Sequence, residues 1–287
     1  EHGLVSLDAA GMSLTQAASD ILPMARLFSR ELRGLTKLET ALSARWNGTK
    51  VCVVPGDADQ DEHVLHEVGR SAAARLRSFL QSGSTLAVTG GTTIGQVAAT
   101  LPGGTPMNVM VVPARGGIGR SLETQANTIA CEIARRLGGH HRMMHLPDLL
   151  DEQALNEMRK LKEIDETLAL LERADVVLHG IGRADEMARK RQLPPAVEAE
   201  VLKRGAVSEA YGCYFDRNGK MVCSASTVAH DLGKLKPDCA WIAVAAGTGK
   251  AEAIDGAMRA KPHRMLVTDE GAAKAILALP EKECLHA

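Results

Sequence analysis

Rings are scarce in this sequence: two Trp, two Tyr and three Phe make up 2% of 287 residues. So few aromatic side chains leave almost no stacking platforms for single-stranded nucleic acid. Charge of one sign is missing too. A formal net charge of −1 supplies no basic field to drive non-specific nucleic-acid binding, so any DNA partner has to be contacted by another segment. No stretch reaches the roughly 18 consecutive apolar residues of a membrane span, and Glu1-His2-Gly3 opens without the charged and apolar regions of a signal peptide. The expected compartment is the cytoplasm, with no membrane partner. Paired cysteines are absent as well: Cys52, Cys131, Cys213, Cys223, Cys239 and Cys284 include no Cys-x-x-Cys and no zinc spacing. Free thiols are expected. Cys213 and Cys223 alone are placed to face each other across a hairpin, and a reducing compartment disfavours a bridge.

Catalytic and nucleotide signatures are missing in the same way. There is no Gly-x-x-x-x-Gly-Lys-Ser/Thr loop, no Gly-x-Gly-x-x-Gly after the first strand and no Gly-x-Ser-x-Gly elbow, so nucleotide, dinucleotide and serine-nucleophile sites lack support. His63 and His66 on one helix, and His140, His141 and His145 near a loop, come without the cysteine or carboxylate pattern of a metal site and read as surface histidines. No cofactor and no metal is expected.

What is present is an ordinary core-forming composition, 45% hydrophobic and 24% charged, enough for one large core with an appended segment. Residues 1–15 hold two short apolar stretches around Asp8-Ala9-Ala10-Gly11, which suits a small hairpin that looks cut from a larger unit. Residues 16–48 form a linker with a helical stretch from Ser19 to Trp46, Asp20 as N-cap and Pro23 in the first turn. Ile21, Met24, Phe28, Leu35, Leu38 and Leu42 draw one apolar stripe along it, to pack on the following domain or to make a dimer contact.

Residues 49–287 alternate β-branched runs with longer helical patterns, the signature of an α/β fold with a mostly parallel sheet and helices on its faces. Strands are expected at Val51–Val54, Thr85–Val88, Asn108–Val112, Arg142–Leu146, Asp175–Leu178, Trp241–Ala245 and Met265–Val267. Helices are expected at Asp61–Leu80, Ile94–Leu101, Leu122–Leu137, Asp151–Leu171 and Lys250–Ala260. Between Ala206 and Ser226 an Asn218-Gly219 turn with apolar flanks predicts a hairpin added to the sheet.

Ligands of open parallel sheets sit beyond the carboxyl ends of the strands, and three such ends stand out. Thr85–Val88 runs into Thr89-Gly90-Gly91-Thr92-Thr93 and a helix start, where glycines permit close approach and free N–H groups and hydroxyls suit a phosphate. Such a glycine pair also occurs for conformational reasons alone. Asn108–Val112 ends in Pro113-Ala114-Arg115-Gly116-Gly117, where a guanidinium offers a planar fork to phosphate oxygens, or a mobile loop carries a solvated arginine. Gln125 opens a helix facing that mouth. Trp241–Ala245 leads to Ala246-Gly247-Thr248-Gly249-Lys250; a cation at a helix start gains nothing from the helix dipole and fits better beside an anionic ligand. Arg189-Lys190-Arg191 could meet a second phosphate or simply be solvated. Glu209 could accept hydrogen bonds from sugar hydroxyls or lie at a hairpin edge.

At these strand ends the chain resembles the effector-binding domain of the SorC family of sugar-responsive transcriptional regulators. VTGGTTI (Val88–Ile94), PARGG (Pro113–Gly117), QANTI (Gln125–Ile129), HGIG (His179–Gly182), SEAYGCYF (Ser208–Phe215), GKAEAI (Gly249–Ile254) and VTDEGAAK (Val267–Lys274) fall in the family's order, from about Val51 to the end. The resemblance implies a Rossmann-like sheet related to sugar-phosphate isomerases and glucosamine-phosphate deaminases but used for sensing. It implies a homodimer or homotetramer that contacts operator DNA through an N-terminal winged helix-turn-helix, of which residues 1–15 would be the last wing. It also implies repression of glycolytic genes, relieved by fructose 1,6-bisphosphate. By motif, Gly90, Gly91, Thr92 and Thr93 with Arg115 and Lys250 would hold one phosphate, with Gln125, Lys190 or its neighbours, and Glu209 handling the rest of the sugar; Gly116, Gly247 and Thr248 would also be ligand-binding. An arginine stands at the position of Lys190 in the relative, which leaves the second phosphate's partner open. Two alternatives remain: the same regulator with a monophosphate inducer, or a sugar-phosphate isomerase or deaminase. Arg183-Ala184-Asp185-Glu186 resembles the acidic loop of ribose-phosphate isomerases, yet His179-Gly180 replaces the aspartate expected just before it.

Overall fold

The β-branched runs form strands that pair in parallel, and the amphipathic stretches between them cover both faces of the resulting sheet. The structure is a computed structural model and describes residues 2–8, 11–115, 122–146, 152–224 and 235–280. In chain order the elements are β1 (Val5–Asp8), β2 (Gly11–Leu14), α1 (Gln16–Leu32), α2 (Leu35–Arg45), β3 (Lys50–Val54), α3 (Glu62–Leu76), β4 (Thr85–Val88), α4 (Thr92–Thr100), β5 (Met110–Pro113), α5 (Ala126–Leu137), β6 (His140–His141) and α6 (Glu152–Met158). They continue with α7 (Lys162–Glu172), β7 (Val176–Arg183), α8 (Ala184–Lys190), α9 (Pro195–Lys203), β8 (Ala206–Ala210), β9 (Cys213–Asp216), β10 (Met221–Ser224), β11 (Ala240–Val244), α10 (Ala251–Ala260), β12 (Met265–Asp269) and α11 (Glu270–Leu277).

Seven strands lie parallel in the order β6-β5-β4-β7-β11-β12-β3. The chain enters at the β3 edge and crosses to β4. It then moves outward through β5 and β6 and returns to the other side of β4 as β7. The direction of winding reverses between β4 and β7, which is where a ligand crevice opens in such sheets. β7 serves two sheets: Val176–Leu178 pair with β4, while Ile181–Arg183 pair with β8 in an antiparallel extension completed by β9 and β10. One face of the parallel sheet packs under α2, α7, α10 and α11, the other under α3, α4 and α5.

The exposed edge of β3 is covered by the linker. Val53 donates its N–H to Glu39 Oε1 at 2.8 Å, and Arg30 Nη1 donates to the Val53 carbonyl at 3.0 Å. Side chains thus take the backbone groups that an eighth strand would use, a common protection for an edge. Behind this contact, Asp255 on α10 accepts from Arg45 at 2.9 and 2.8 Å, from Trp46 Nε1 at 3.0 Å and from Arg259 at 3.0 Å. Burial pushes this carboxyl up, but the guanidinium groups of Arg45 and Arg259 win and hold it below the usual range.

His179 on β7 and His263 before β12 are buried against Trp241 and Tyr211. Their Nε2 atoms lie 2.9 Å apart, His179 Nδ1 is 3.1 Å from the Gly180 carbonyl and His263 Nδ1 is 2.7 Å from that of Lys261. Two neutral imidazoles bring two protons to these three contacts, so one contact lacks its hydrogen. A third proton would complete the set, yet burial disfavours the charge and pushes His179 down to about 4 and His263 to about 3.

Local expectations needed correction at three places. The linker helix begins at Gln16 with Thr15 as N-cap, accepting from Ala18 N–H, so Asp20 is not the cap and Pro23 lies inside the helix. Gly34, at φ 67°, divides the stretch into α1 and α2. The apolar stripe divides with it: Leu35 and Leu42 are buried and Leu38 packs on the core, whereas Ile21, Met24 and Phe28 are exposed. No strand spans Arg142–Leu146; pairing stops after His141, and the Asn127 side chain donates to the Met144 carbonyl at 3.1 Å and accepts its N–H at 2.9 Å. The helix expected over Asp151–Leu171 is two helices, α6 and α7. The hairpin at Asn218-Gly219 is present as β9 and β10, and the β1–β2 hairpin exposes Val5, Leu7, Met12 and Leu14. The described cysteines are free thiols; Cys284 lies outside the described residues. Among the described residues no helix is long and apolar enough to cross a membrane.

Replacing Asp255 by Ala leaves the Arg45 guanidinium buried without its carboxylate, and denaturant unfolding should show a loss of about 3–5 kcal/mol. The imidazole pair makes stability fall in acid: unfolded histidines take up protons below about pH 6.5 while the folded pair resists until about 4 and 3. Melting temperature should therefore drop steadily from pH 6.5 towards pH 4. In a His179→Gln/His263→Gln variant the slope between pH 6.5 and 5 should flatten, since the proton uptake of this pair on unfolding is removed.

Candidate functional site

Strand register brings the candidate loops to one rim. Val88 pairs with Pro113 and Leu178, Val244 with Gly180 and Val267, and Asp269 with Val54. The segments after β4, β5, β11, β12 and β3 therefore leave the sheet at one level on its carboxyl edge. The Arg115 and Gly247 loops rise from strands three spacings apart, about 14 Å at about 4.8 Å per spacing.

The first loop, Thr89–Thr93, is shaped by the chain itself. A Cβ on Gly90 would meet the Thr124 carbonyl at 2.5 Å, and Gly91 sits at φ 119° with its N–H donated to that carbonyl at 2.9 Å. Gly90 is thus required by close packing against the residues before α5, where Gln125 is the N-cap, and Gly91 by its left-handed backbone. No side chain caps α4, so the N–H groups of Thr92 and Thr93 face the rim without intrahelical acceptors. Thr92 is exposed and Thr93 buried.

After β5, Arg115 is 6% exposed and reaches across the ends of β4 and β7 to Glu209, with Nη1 to Oε1 at 3.6 Å. Gly116 lies outside the described residues. Glu209, on β8 opposite Gly182, also accepts Gly212 N–H and Arg191 Nη2, each at 2.8 Å. Burial pushes the Glu209 carboxyl up, opposed by the Arg115 guanidinium and the Gly212 N–H. Lys190, at the end of α8, points away: its side chain is 68% exposed, with Glu186 at 4.0 Å. The next residue, Arg191, turns inward instead, so the cation beside Glu209 is one position from the expected one.

The third loop carries its own anions. Gly247 N–H donates to Asp269 Oδ2 at 2.9 Å, Thr248 N–H and Oγ1 donate to Asp57 at 3.2 and 2.7 Å, and Gly249 N–H donates to Asp59 Oδ2 at 2.7 Å. Burial raises the Asp269 carboxyl in spite of three N–H donors. Burial also pushes Asp57 up, but the Thr248 hydroxyl and the N–H groups of Asp59 and Thr248 outweigh it and hold that carboxyl low. Lys250, half-buried beside them, has no ion-pair or hydrogen-bond partner for its ammonium among the described residues. Burial pulls its pKa down, opposed first by Glu186 and Asp59.

Asp57, Asp59 and Asp269 were not among the residues expected here, and Arg191 was expected only as a neighbour of Lys190. The signal for the first two was available: Asp57-Ala58-Asp59 follows the end of β3, another carboxyl end on the same rim. Among the described residues no group of three or more His, Cys, Asp or Glu is arranged to hold a metal ion. Asp185, in the loop that resembles an isomerase's acidic loop, is held by Arg183 at 2.9 Å and Arg189 at 3.1 Å, and the Arg183 hydrogen bonds keep its carboxyl low.

Comparison with known proteins agrees with this architecture. Residues 30–278 match the family described as "Putative sugar-binding domain". The chain is 39% identical over 280 residues to the central glycolytic genes regulator of Priestia megaterium, covering 96% of this chain and 82% of that protein. It is 36% identical over 278 residues to the regulator of the same name from Bacillus subtilis, with 96% and 82% covered. The crystal structure of a "putative SorC family transcriptional regulator" from Enterococcus faecalis aligns with a TM-score of 0.78 at 33% identity, covering 84% of this chain and 99% of that one. The chain belongs to the SorC family of transcriptional regulators with a sugar-binding domain.

Proposed function

We propose that this chain is the effector-sensing part of a repressor of glycolytic genes, and that the crevice between β4 and β7 binds a phosphorylated sugar, fructose 1,6-bisphosphate being the proposed effector. The observation that carries this reading is Lys250, a half-buried ammonium attracted by Glu186 and Asp59 but in no ion pair or hydrogen bond among the described residues, on the same rim as the uncapped start of α4. Cations withdrawn from water are normally paired directly; a phosphate between Thr92, Thr93 and Lys250 would supply that direct contact. Arg115, Gly116, Gln125, Gly247, Thr248 and the two glycines of the first loop complete this proposed subsite. Glu209 would accept sugar hydroxyls, with Arg191 or Lys190 near a second phosphate.

Effector binding would weaken operator binding by a DNA-reading segment that precedes residue 16, with residues 1–15 as the last wing of that module and 16–48 as the linker. The exposed apolar faces of the β1–β2 hairpin and of α1 support this division, and the α1 face is the proposed contact of a homodimer or homotetramer. The regulator names of the relatives, and the close identity to the two central glycolytic genes regulators, support repression of glycolytic genes in the cytoplasm. An isomerase or deaminase is disfavoured because Asp185 is ion-paired and His179 is buried against His263, which leaves neither free to abstract a proton next to a carbonyl.

Fructose 1,6-bisphosphate should stabilise the protein against heat, by about 2.7 kcal/mol at a hundredfold excess over Kd. Thr93→Glu, which puts a carboxylate where the phosphate belongs, should abolish that response in a thermal-shift screen. A stronger response to a monophosphate such as dihydroxyacetone phosphate or glucose 6-phosphate would change the effector and leave the sensor reading intact. Isomerase and deaminase assays with hexose and pentose phosphates should show no turnover.

A further inference from the structure

The backbone donors of the third strand end are already occupied, by the chain's own carboxylates. Asp57 and Asp59 come from the segment between β3 and α3 and bond Thr248 and Gly249, the two cradle residues immediately before Lys250. The fit is close: a Cβ on Gly247 would stand 2.4 Å from Asp59 Oδ1. Chemically these two carboxylates do what phosphate oxygens would do, accepting from N–H groups and a hydroxyl at a helix start. They do not bond the Lys250 ammonium.

The segment that carries them is tied to the linker. Gly56 N–H donates to Glu270 Oε2 at 3.3 Å, Glu270 Oε2 lies 3.5 Å from Arg33 at the end of α1, and Gly271 N–H donates to the Gly56 carbonyl at 2.9 Å. Three residues earlier, Val53 is held by Glu39 and Arg30.

We propose that Asp57 and Asp59 form an internal stand-in for an anion: an incoming phosphate takes over the N–H groups of Thr248 and Gly249, expels the 56–61 segment from the cradle, and so disturbs its bonds to the end of α1. This deepens the sensor reading given above and rests on it. Two anions cannot share one set of donors, so occupancy by the segment lowers the apparent affinity for phosphate by the fraction of time the cradle is free. Any ligand that binds only the open cradle shifts the equilibrium towards it.

The test uses the whole chain and two readouts, with fructose 1,6-bisphosphate and inorganic phosphate as probes. Asp59→Asn keeps the side chain's size and removes its charge, and Asp57→Ala/Asp59→Ala removes both surrogates. In calorimetric titrations both variants should bind about tenfold more tightly than the wild type. In the wild type, saturating ligand should protect the amides of residues 247–250 from hydrogen exchange and speed exchange in residues 56–61. Unchanged or weaker binding by both variants overturns the proposal. Tighter binding without faster exchange in 56–61 overturns it too, because that outcome is relief of simple charge repulsion. If the wild type binds neither probe nor any other sugar phosphate, it is the sensor reading that fails. If the wild type binds and the variants do not differ from it, the sensor stands and the stand-in fails.

Discussion

A parallel sheet delivers all its strands to one edge with their chains turning away, and the turns that follow present backbone N–H groups that no neighbouring strand can accept. Such donors must find acceptors or remain in water. In this protein the acceptors differ along the rim. Beside β4 a main-chain carbonyl, that of Thr124, takes Gly91. Beside β11 three carboxylates serve Gly247, Thr248 and Gly249. The start of α4 has no side-chain cap. The arrangement of cations follows the same logic: Arg115 and Arg191 share the buried carboxylate of Glu209, while Lys250 has no such counterion among the described residues.

The strands were readable because β-branched runs bounded by glycine and charge leave few alternatives, and β4 begins and ends at the residues expected of it. The two-sided covering by helices followed from the alternation of periods. Features decided by contacts between distant residues were not readable. Asn127 claims both backbone groups of Met144 from another element, and no local propensity announces that. Thr15 and Asp20 are both good caps by chemistry; which one starts the helix depends on where the hairpin before it ends. On the candidate rim, the glycines, Arg115 and Lys250 stand out by residue type after a strand. Arg191 was marked only as one of a run of three cations, since which of them turns inward after α8 is set by the geometry of the last turn. Asp57 and Asp59 are hard to single out by residue type, because an acidic stretch before a helix equally suits capping, and Asp61 does serve that role.

The α1–α2 segment is physically part of the sugar-binding domain. α2 is anchored through Asp255 and its four donors, and α1 through Arg30 and Glu39 on the edge of β3. These are charged groups in partly or fully buried settings, where geometry matters more than in water. They fix where α1 leaves the domain, and with it the direction in which any attached module is carried.

β7 carries a mechanical implication. Because its first residues are hydrogen-bonded into the parallel sheet and its last into the antiparallel one, it acts as a shared rib joining the floor of the crevice to the wall that bears Glu209. The wall cannot swing outward without twisting a strand whose neighbours on both sides resist torsion. Motion at this rim is thereby left to its turns, while the separation of floor and wall is held by the strand they share.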